Sequence, residues 1–160
     1  MKTGIDFTKR MFIITTLALS SVFAMTACDK NDDNGDKVMF NLGGSATGAA
    51  VVPAVTTSGT GTISGTYNKT TNVMDYNITW TGLSDSASAV TLYSGAAGAN
   101  GTLVQDVNIT TIGMTGASTG SITLTDAQET DLLAGNWYYL IGTSNHLTGE
   151  VRGQITASPQ

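Results

Sequence analysis

The sequence predicts an all-β protein: an antiparallel β-sandwich of immunoglobulin-like or Greek-key type that carries one short helix. Three observations point there. Gly (19), Thr (27) and Ser (13) make up over a third of the 160 residues, and branched Thr suits a pleated strand while Gly suits tight turns. Charged residues are few, at 12%. Seven to nine short strand-like runs recur at 8–12-residue spacing, the pattern of a sandwich.

Taken in order, a first strand is expected near residues 38–42 and a less regular one near 49–56. Pro53 has no N–H for a ladder, so the second is an edge or a bend. The Thr-rich run 60–67 leads through Asn68-Lys69-Thr70-Thr71-Asn72, a polar turn of hairpin length, into residues 73–80. That run is the clearest strand. Met74, Tyr76, Ile78 and Trp80 alternate with Asp75, Asn77 and Thr79, the period of a strand with one buried face. Further strands are expected at 89–93, 103–110, 119–124, 137–143 and 149–156. In the last, Val151, Gly153 and Ile155 share one face, and Glu150, Arg152 and Gln154 share the other. One helix is expected. Thr125 and Gln128 stand at capping-box spacing, Asp126 and Glu129 suit the positive end of a helix dipole, and Gly135 supplies a stop.

The fold begins after a leader. Lys2, Lys9 and Arg10 precede an apolar stretch, Met11 to Ala24, that is softer and shorter than the ~20 residues a membrane span needs. Residues 1–27 are therefore expected to be a signal peptide. Met25-Thr26-Ala27-Cys28 resembles a bacterial lipobox, which implies a lipid on Cys28 as the first mature residue. The covalent lipid is the only cofactor expected. A lipidated cysteine carries more than one chain, which stable anchoring requires. Residues 28–37 then form an acidic tether without large apolar side chains. Nine extended residues reach at most roughly 30 Å, so the folded domain, 38–160, is held near a membrane. The acidic run also resembles the signal that exports some lipoproteins to the outer face of the outer membrane. The expected location is the cell envelope, as an outer-membrane lipoprotein open to surface display. Without the leader the net charge moves from −5 to −7, leaving 4 basic and 11 acidic residues.

Four stretches together resemble the chordin-type (CHRD) domain. They are Gly48-Ala49-Ala50-Val51-Val52-Pro53-Ala54-Val55, Gly95-Ala96-Ala97-Gly98-Ala99-Asn100-Gly101, Leu124–Gln128 with Asp131–Gly135, and Gly149-Glu150-Val151-Arg152-Gly153-Gln154-Ile155. The resemblance spans residues 38–156. It implies an immunoglobulin-like β-barrel in a secreted or envelope protein, with no established general activity. It also places histidines where this chain has Thr91, Tyr93 and Gly142. Three imidazoles from two strands could hold a transition metal; here all three positions are degenerate. His146, the single histidine, lies three residues beyond the third position. One histidine supplies one ligand, so no metal site is expected.

The remaining chemistry is sparse. An acidic chain lacks the basic face of a nucleic-acid binder. One Cys rules out an internal disulfide framework. No Ser sits in G-x-S-x-G, and His146 is the only histidine for a triad. Carboxylates such as Asp75, Asp106 and Glu150 leave a glycosidase-type pair open. No catalytic residue is assigned, and the protein is not expected to be an enzyme. Glu150 and Arg152, with Tyr93 and His146, form the candidate binding surface; the blander expectation for Glu150 and Arg152 is a solvated network worth under about 1 kcal/mol per pair. One face of the strand 137–141 must leave the core, so Tyr138 or Tyr139 could stack on a ligand, although an aromatic-rich strand is more often core. Asp85-Ser86-Ala87 resembles an O-glycosylation site of envelope proteins. The expected function is a non-catalytic binding or structural module, held to the membrane by its lipid, with an extracellular protein or glycan as ligand. The alternative is an envelope metal-binding protein or enzyme with a degenerate His site.

Overall fold

The structure, a computed structural model, describes residues 38–160. The leader, Cys28 and the tether lie outside the described residues. Eight strands and one helix follow in order: β1 (Met39–Thr47), β2 (Thr60–Asn68), β3 (Val73–Thr81), β4 (Ala87–Ser94), β5 (Thr102–Val107), β6 (Gly116–Thr123), α1 (Asp126–Leu133), β7 (Trp137–Thr143) and β8 (Val151–Pro159).

All neighbouring strands run antiparallel. They form one sheet in the order β5-β4-β7-β8-β1-β2-β3-β6, not the two separate sheets of the expected sandwich. The reason is β8. It pairs with β7 through Val151–Ile155 and with β1 through Arg152–Pro159, so the two halves share a hydrogen-bonded strand. The sheet curls until its edges nearly meet. Just beyond β5, the backbone N–H groups of Thr110 and Thr111 donate to the Ala117 carbonyl of β6 at 3.2 and 3.0 Å. Ser118 Oγ also donates to the Asn108 carbonyl. The result is nearly a barrel, which limits free sheet edges.

One core fills its inside. Ile63, Ile78, Trp80, Leu92, Trp137, Tyr139, Ile141 and Ile155 belong to a single buried cluster contributed by β2, β3, β4, β7 and β8. Alternation builds it: Met74, Tyr76, Ile78 and Trp80 are buried while Asp75 and Asn77 are exposed. Gly153 lies on this inner face because a Cβ there would come within 2.5 Å of the Tyr139 ring. The helix starts as expected. Thr125 N donates to Gln128 Oε1 at 2.9 Å, and Gln128 N donates back to Thr125 Oγ1 at 3.3 Å. Leu132 enters the core, and Gly135, at φ +73°, ends the turn.

The expected strand at 49–56 does not form. The N–H groups of Val51 and Val55 both donate to the Gly48 carbonyl, at 3.1 and 2.9 Å, so the segment curls instead of extending. Pro53 could add no ladder bond. This curled connection lies against the outside of the sheet.

Candidate functional site

On β4, β7 and β8 the residues between the core positions face away from the barrel interior. Register brings them side by side: Tyr93 lies opposite Tyr138, Thr91 opposite Leu140, and Ala89 opposite Gly142. On the far side of β7, Tyr138 lies opposite Gln154 and Leu140 opposite Arg152. Two connections approach this outer face. The first is the curled segment after β1; the second is the Gly-rich segment 95–101. Asn100 Nδ2 donates to the Val52 carbonyl at 3.4 Å and links them.

The Gly-rich segment is fastened at both ends. Gln154 Nε2 donates to the Gly95 carbonyl at 2.9 Å and to the Gly135 carbonyl at 2.8 Å. Gly101 N donates to the Tyr138 hydroxyl at 3.1 Å. Gly95 and Gly101 pass so close that a Cβ on Gly101 would collide with the Ser94 carbonyl. Only glycine fits that neck.

Beneath it lies Arg152, 2% exposed. Its Nη2 donates to the Ala96 carbonyl at 2.9 Å, and its guanidinium carbon lies 3.6 Å from the centre of the Tyr138 ring. Tyr138 in turn stacks on Tyr93, with centroids 5.0 Å apart and planes 6° apart. Because β7 lies between β8 and β4, a stack runs Arg152, Tyr138, Tyr93 across three strands. Among the described residues the one ion pair is Lys69–Glu129 at 3.4 Å, so no carboxylate neutralises Arg152. The electron-rich ring face and the Ala96 carbonyl stabilise its charge instead. Its Nη1 has no hydrogen-bond partner.

Glu150 takes a different role. It is fully buried and lies one residue ahead of β8. Its Oε1 accepts from Thr57 Oγ1 at 2.6 Å and from Ser84 N at 2.7 Å. Its Oε2 accepts from Ser84 Oγ at 2.7 Å and from Thr143 Oγ1 at 2.8 Å. The carboxylate thus ties the connection before β2, the connection before β4 and the end of β7. Burial acts to raise its pKa, but the hydrogen bonds from Thr57, Ser84 and Thr143 outweigh burial and hold it below the ordinary value. The expectation for this pair is corrected both as a solvated network and as part of an open binding surface, and neither residue lines the groove. Glu150 and Arg152 are buried, and each bonds to loops. Covering connections, invisible in strand alternation, removed both from solvent.

The other sequence-derived positions divide. Tyr93 is half-buried and borders an open groove between the loops. Thr91 shares its face but opens onto a separate hollow beside Asp106 and Ile112. Gly142 lies under the turn 143–149, where a Cβ would sit 3.4 Å from the His146 carbonyl. His146 is half-buried; its backbone closes that turn by exchanging hydrogen bonds with Thr143 at 3.1 and 3.3 Å. Tyr139 is in the core; Tyr138 lies on the outer side of the sheet but is only 3% exposed, covered by Arg152 and the Gly-rich segment, so neither ring is open to solvent as expected from the sequence. Ser86 is exposed in the connection before β4. The adjacent Asp85 is held below its usual pKa by hydrogen bonds from Ser144 and from the Ser86 backbone. Among the described residues no three His, Cys, Asp or Glu side chains gather as a metal-binding group.

Between the loops remains an open groove of about 540 Å³, within the usual range of ligand sites. The sheet contributes Tyr93, Tyr138 and Leu140; the curled segment contributes Val52 and Pro53. Asn100 and Gly101 come from the Gly-rich segment, and Leu147 and Thr148 from the turn after β7. None of these is a carboxylate, amine or guanidinium. Leu147 is 79% exposed and Val52 36%. The sequence reading found Tyr93 but missed Val52, Asn100, Leu147 and Thr148. The available signal was that Val52 and Asn100 belong to two of the four recognised stretches.

Residues 43–155 match the CHRD domain family. No curated protein and no solved structure matches the chain.

Proposed function

The chain belongs to the CHRD domain family, and on that premise we propose that it is a lipid-anchored, non-catalytic binding module of the cell envelope. The groove over Tyr93 and Tyr138 carries this reading. It is the place where sheet, curled segment, Gly-rich segment and turn converge on an open hollow. Its ring stack is pre-ordered by Arg152, so little side-chain freedom is lost on binding. Its lining offers stacking and hydrogen bonding but no acid–base or nucleophile–base pair within reach of a substrate. The ligand is extracellular, a protein or a glycan.

The anchor rests on Cys28, which follows the apolar leader directly, and on the acidic tether that follows it. Membrane fractionation of cells carrying the full chain tests the anchor. Wild type is expected in the membrane fraction and Cys28→Ala in the soluble fraction; retention of Cys28→Ala with the membrane would refute it. Protease added to intact cells should digest the domain if it faces outward. Binding is tested with the tag-free mature chain against glycan and peptide arrays, and the absence of any Tyr93-dependent ligand in either would defeat the binding-module reading.

A further inference from the structure

We infer that the groove is a subsite for a neutral sugar, stacked against the end of the tyrosine pair at Tyr93. This inference rests on the binding-module reading and names the ligand class of the same site.

The groove lining holds no charged partner for an ionic ligand of either sign. Residues 38–160 hold seven carboxylates and only two cations, Lys69 and Arg152. Lys69 is paired with Glu129 at 3.4 Å, and Arg152 is 2% exposed. A polyanion therefore meets an acidic surface without an accessible free cation among the described residues. A cationic ligand is drawn to the acidic surface but finds no partner in the groove itself. The stack already carries the buried charge of Arg152 behind Tyr138, and no carboxylate borders the groove. A neutral ligand suffers neither penalty.

The groove then asks for a ligand that is apolar on one face and polar at its edges. One side of Tyr93 is occupied by Tyr138; no other ring or cation stacks on Tyr93 among the described residues. An aromatic face is electron-rich, and the polarised C–H groups on one side of a pyranose ring complement it. Around it, Asn100 uses one amide N–H to hold Val52, leaving its carbonyl and second N–H free. Thr148 has no side-chain hydrogen bond within the described residues and lines the same groove. An amide and a hydroxyl suit the neighbouring hydroxyls of a sugar, which both donate and accept. The exposed Leu147 and Val52 supply apolar contacts at the rim.

The test uses the mature chain on an array of neutral, uronate-bearing and sulfated oligosaccharides, with a random-peptide array in parallel. Neutral oligosaccharides are expected to bind, and acidic ones are not. Tyr93→Ala should weaken binding roughly three- to tenfold, the worth of one aromatic contact, and Tyr93→Phe should retain it. Near-ultraviolet circular dichroism confirms that both variants keep the fold. Binding of neutral sugars unchanged by Tyr93→Ala, or preferred binding of acidic sugars, would overturn the inference. Tyr93-dependent binding of peptides alone would overturn the sugar and leave the groove standing. No Tyr93-dependent binding on either array would overturn both.

Discussion

Replacing Glu150 by glutamine keeps the shape of the side chain and removes its charge. The four donors to that carboxylate are not equivalent. Ser84 N can only donate, and Thr57 also donates to Oε1. The amide oxygen of the introduced glutamine must therefore take the Oε1 side. Its NH₂ group then faces Ser84 Oγ and Thr143 Oγ1, the two partners of Oε2. Both are hydroxyls, so they can rotate and accept. No partner is orphaned, but four charge-assisted bonds become neutral ones. Charged hydrogen bonds contribute about 1.5–3 kcal/mol each against roughly 1 for neutral ones. Ser84 is exposed and Thr57 half-exposed, so water offsets much of their loss. Thr143 is fully buried and has no such recourse. The expected net cost is about 1–2 kcal/mol, which for a domain of this size lowers Tm by roughly 4–8 °C. The pH dependence provides the sharper measurement. The folded carboxyl titrates below its ordinary value, so its contribution is fully present above the unfolded pKa, about 4.3. It fades as pH falls through the lower folded value. Thermal unfolding followed by circular dichroism from pH 7 to 3 should show a constant gap between wild type and Glu150→Gln above about pH 5, closing in stronger acid. Equal stability at pH 7, or a gap that persists unchanged to pH 3, would refute the role given to this carboxylate.

Two further substitutions separate structural parts with opposite characters. Arg152→Met removes a buried charge without a counter-ion and with an unpartnered Nη1, so stability should change by only about 1 kcal/mol despite full burial; amide exchange at Gly95 to Gly101 should nevertheless quicken, because the Ala96 tether is lost. A loss of about 3 kcal/mol or more in urea unfolding would show that the guanidinium is a stability element. Gly153→Ala forces a Cβ to 2.5 Å from the Tyr139 ring, an overpacking expected to cost about 1–3 kcal/mol, and a midpoint unchanged from wild type would contradict the packing described.

Local chemistry was legible where a short window contains its own cause. The strand 137–143 and the capping box of Thr125 and Gln128 lie where the residues place them. Alternation over 73–80 marked the buried face of β3 correctly, because the period of a strand is two whatever its neighbours are. The segment 49–56 was misread because a single carbonyl, that of Gly48, collects two N–H groups, and no period reports a curl of that kind. The burial of Glu150 was illegible for a related reason. Its partners, Thr57 and Ser84, lie 93 and 66 residues away, and a charged residue beside a loop ordinarily reads as solvated.

An antiparallel, all-β domain with one capped helix could be read from the residues alone, since strand period, turn residues and capping are local properties. So could the family motifs, because these are runs of residues in order. That the strands share one nearly closed sheet follows from long-range pairing alone, because it depends on β8 bonding to both β1 and β7. Tertiary packing likewise turned Glu150 and Arg152 from a surface pair into two buried fasteners. And it gathered Val52, Tyr93, Asn100, Tyr138 and Leu147 around one groove, a site that exists only where distant loops fold over the same face of the sheet.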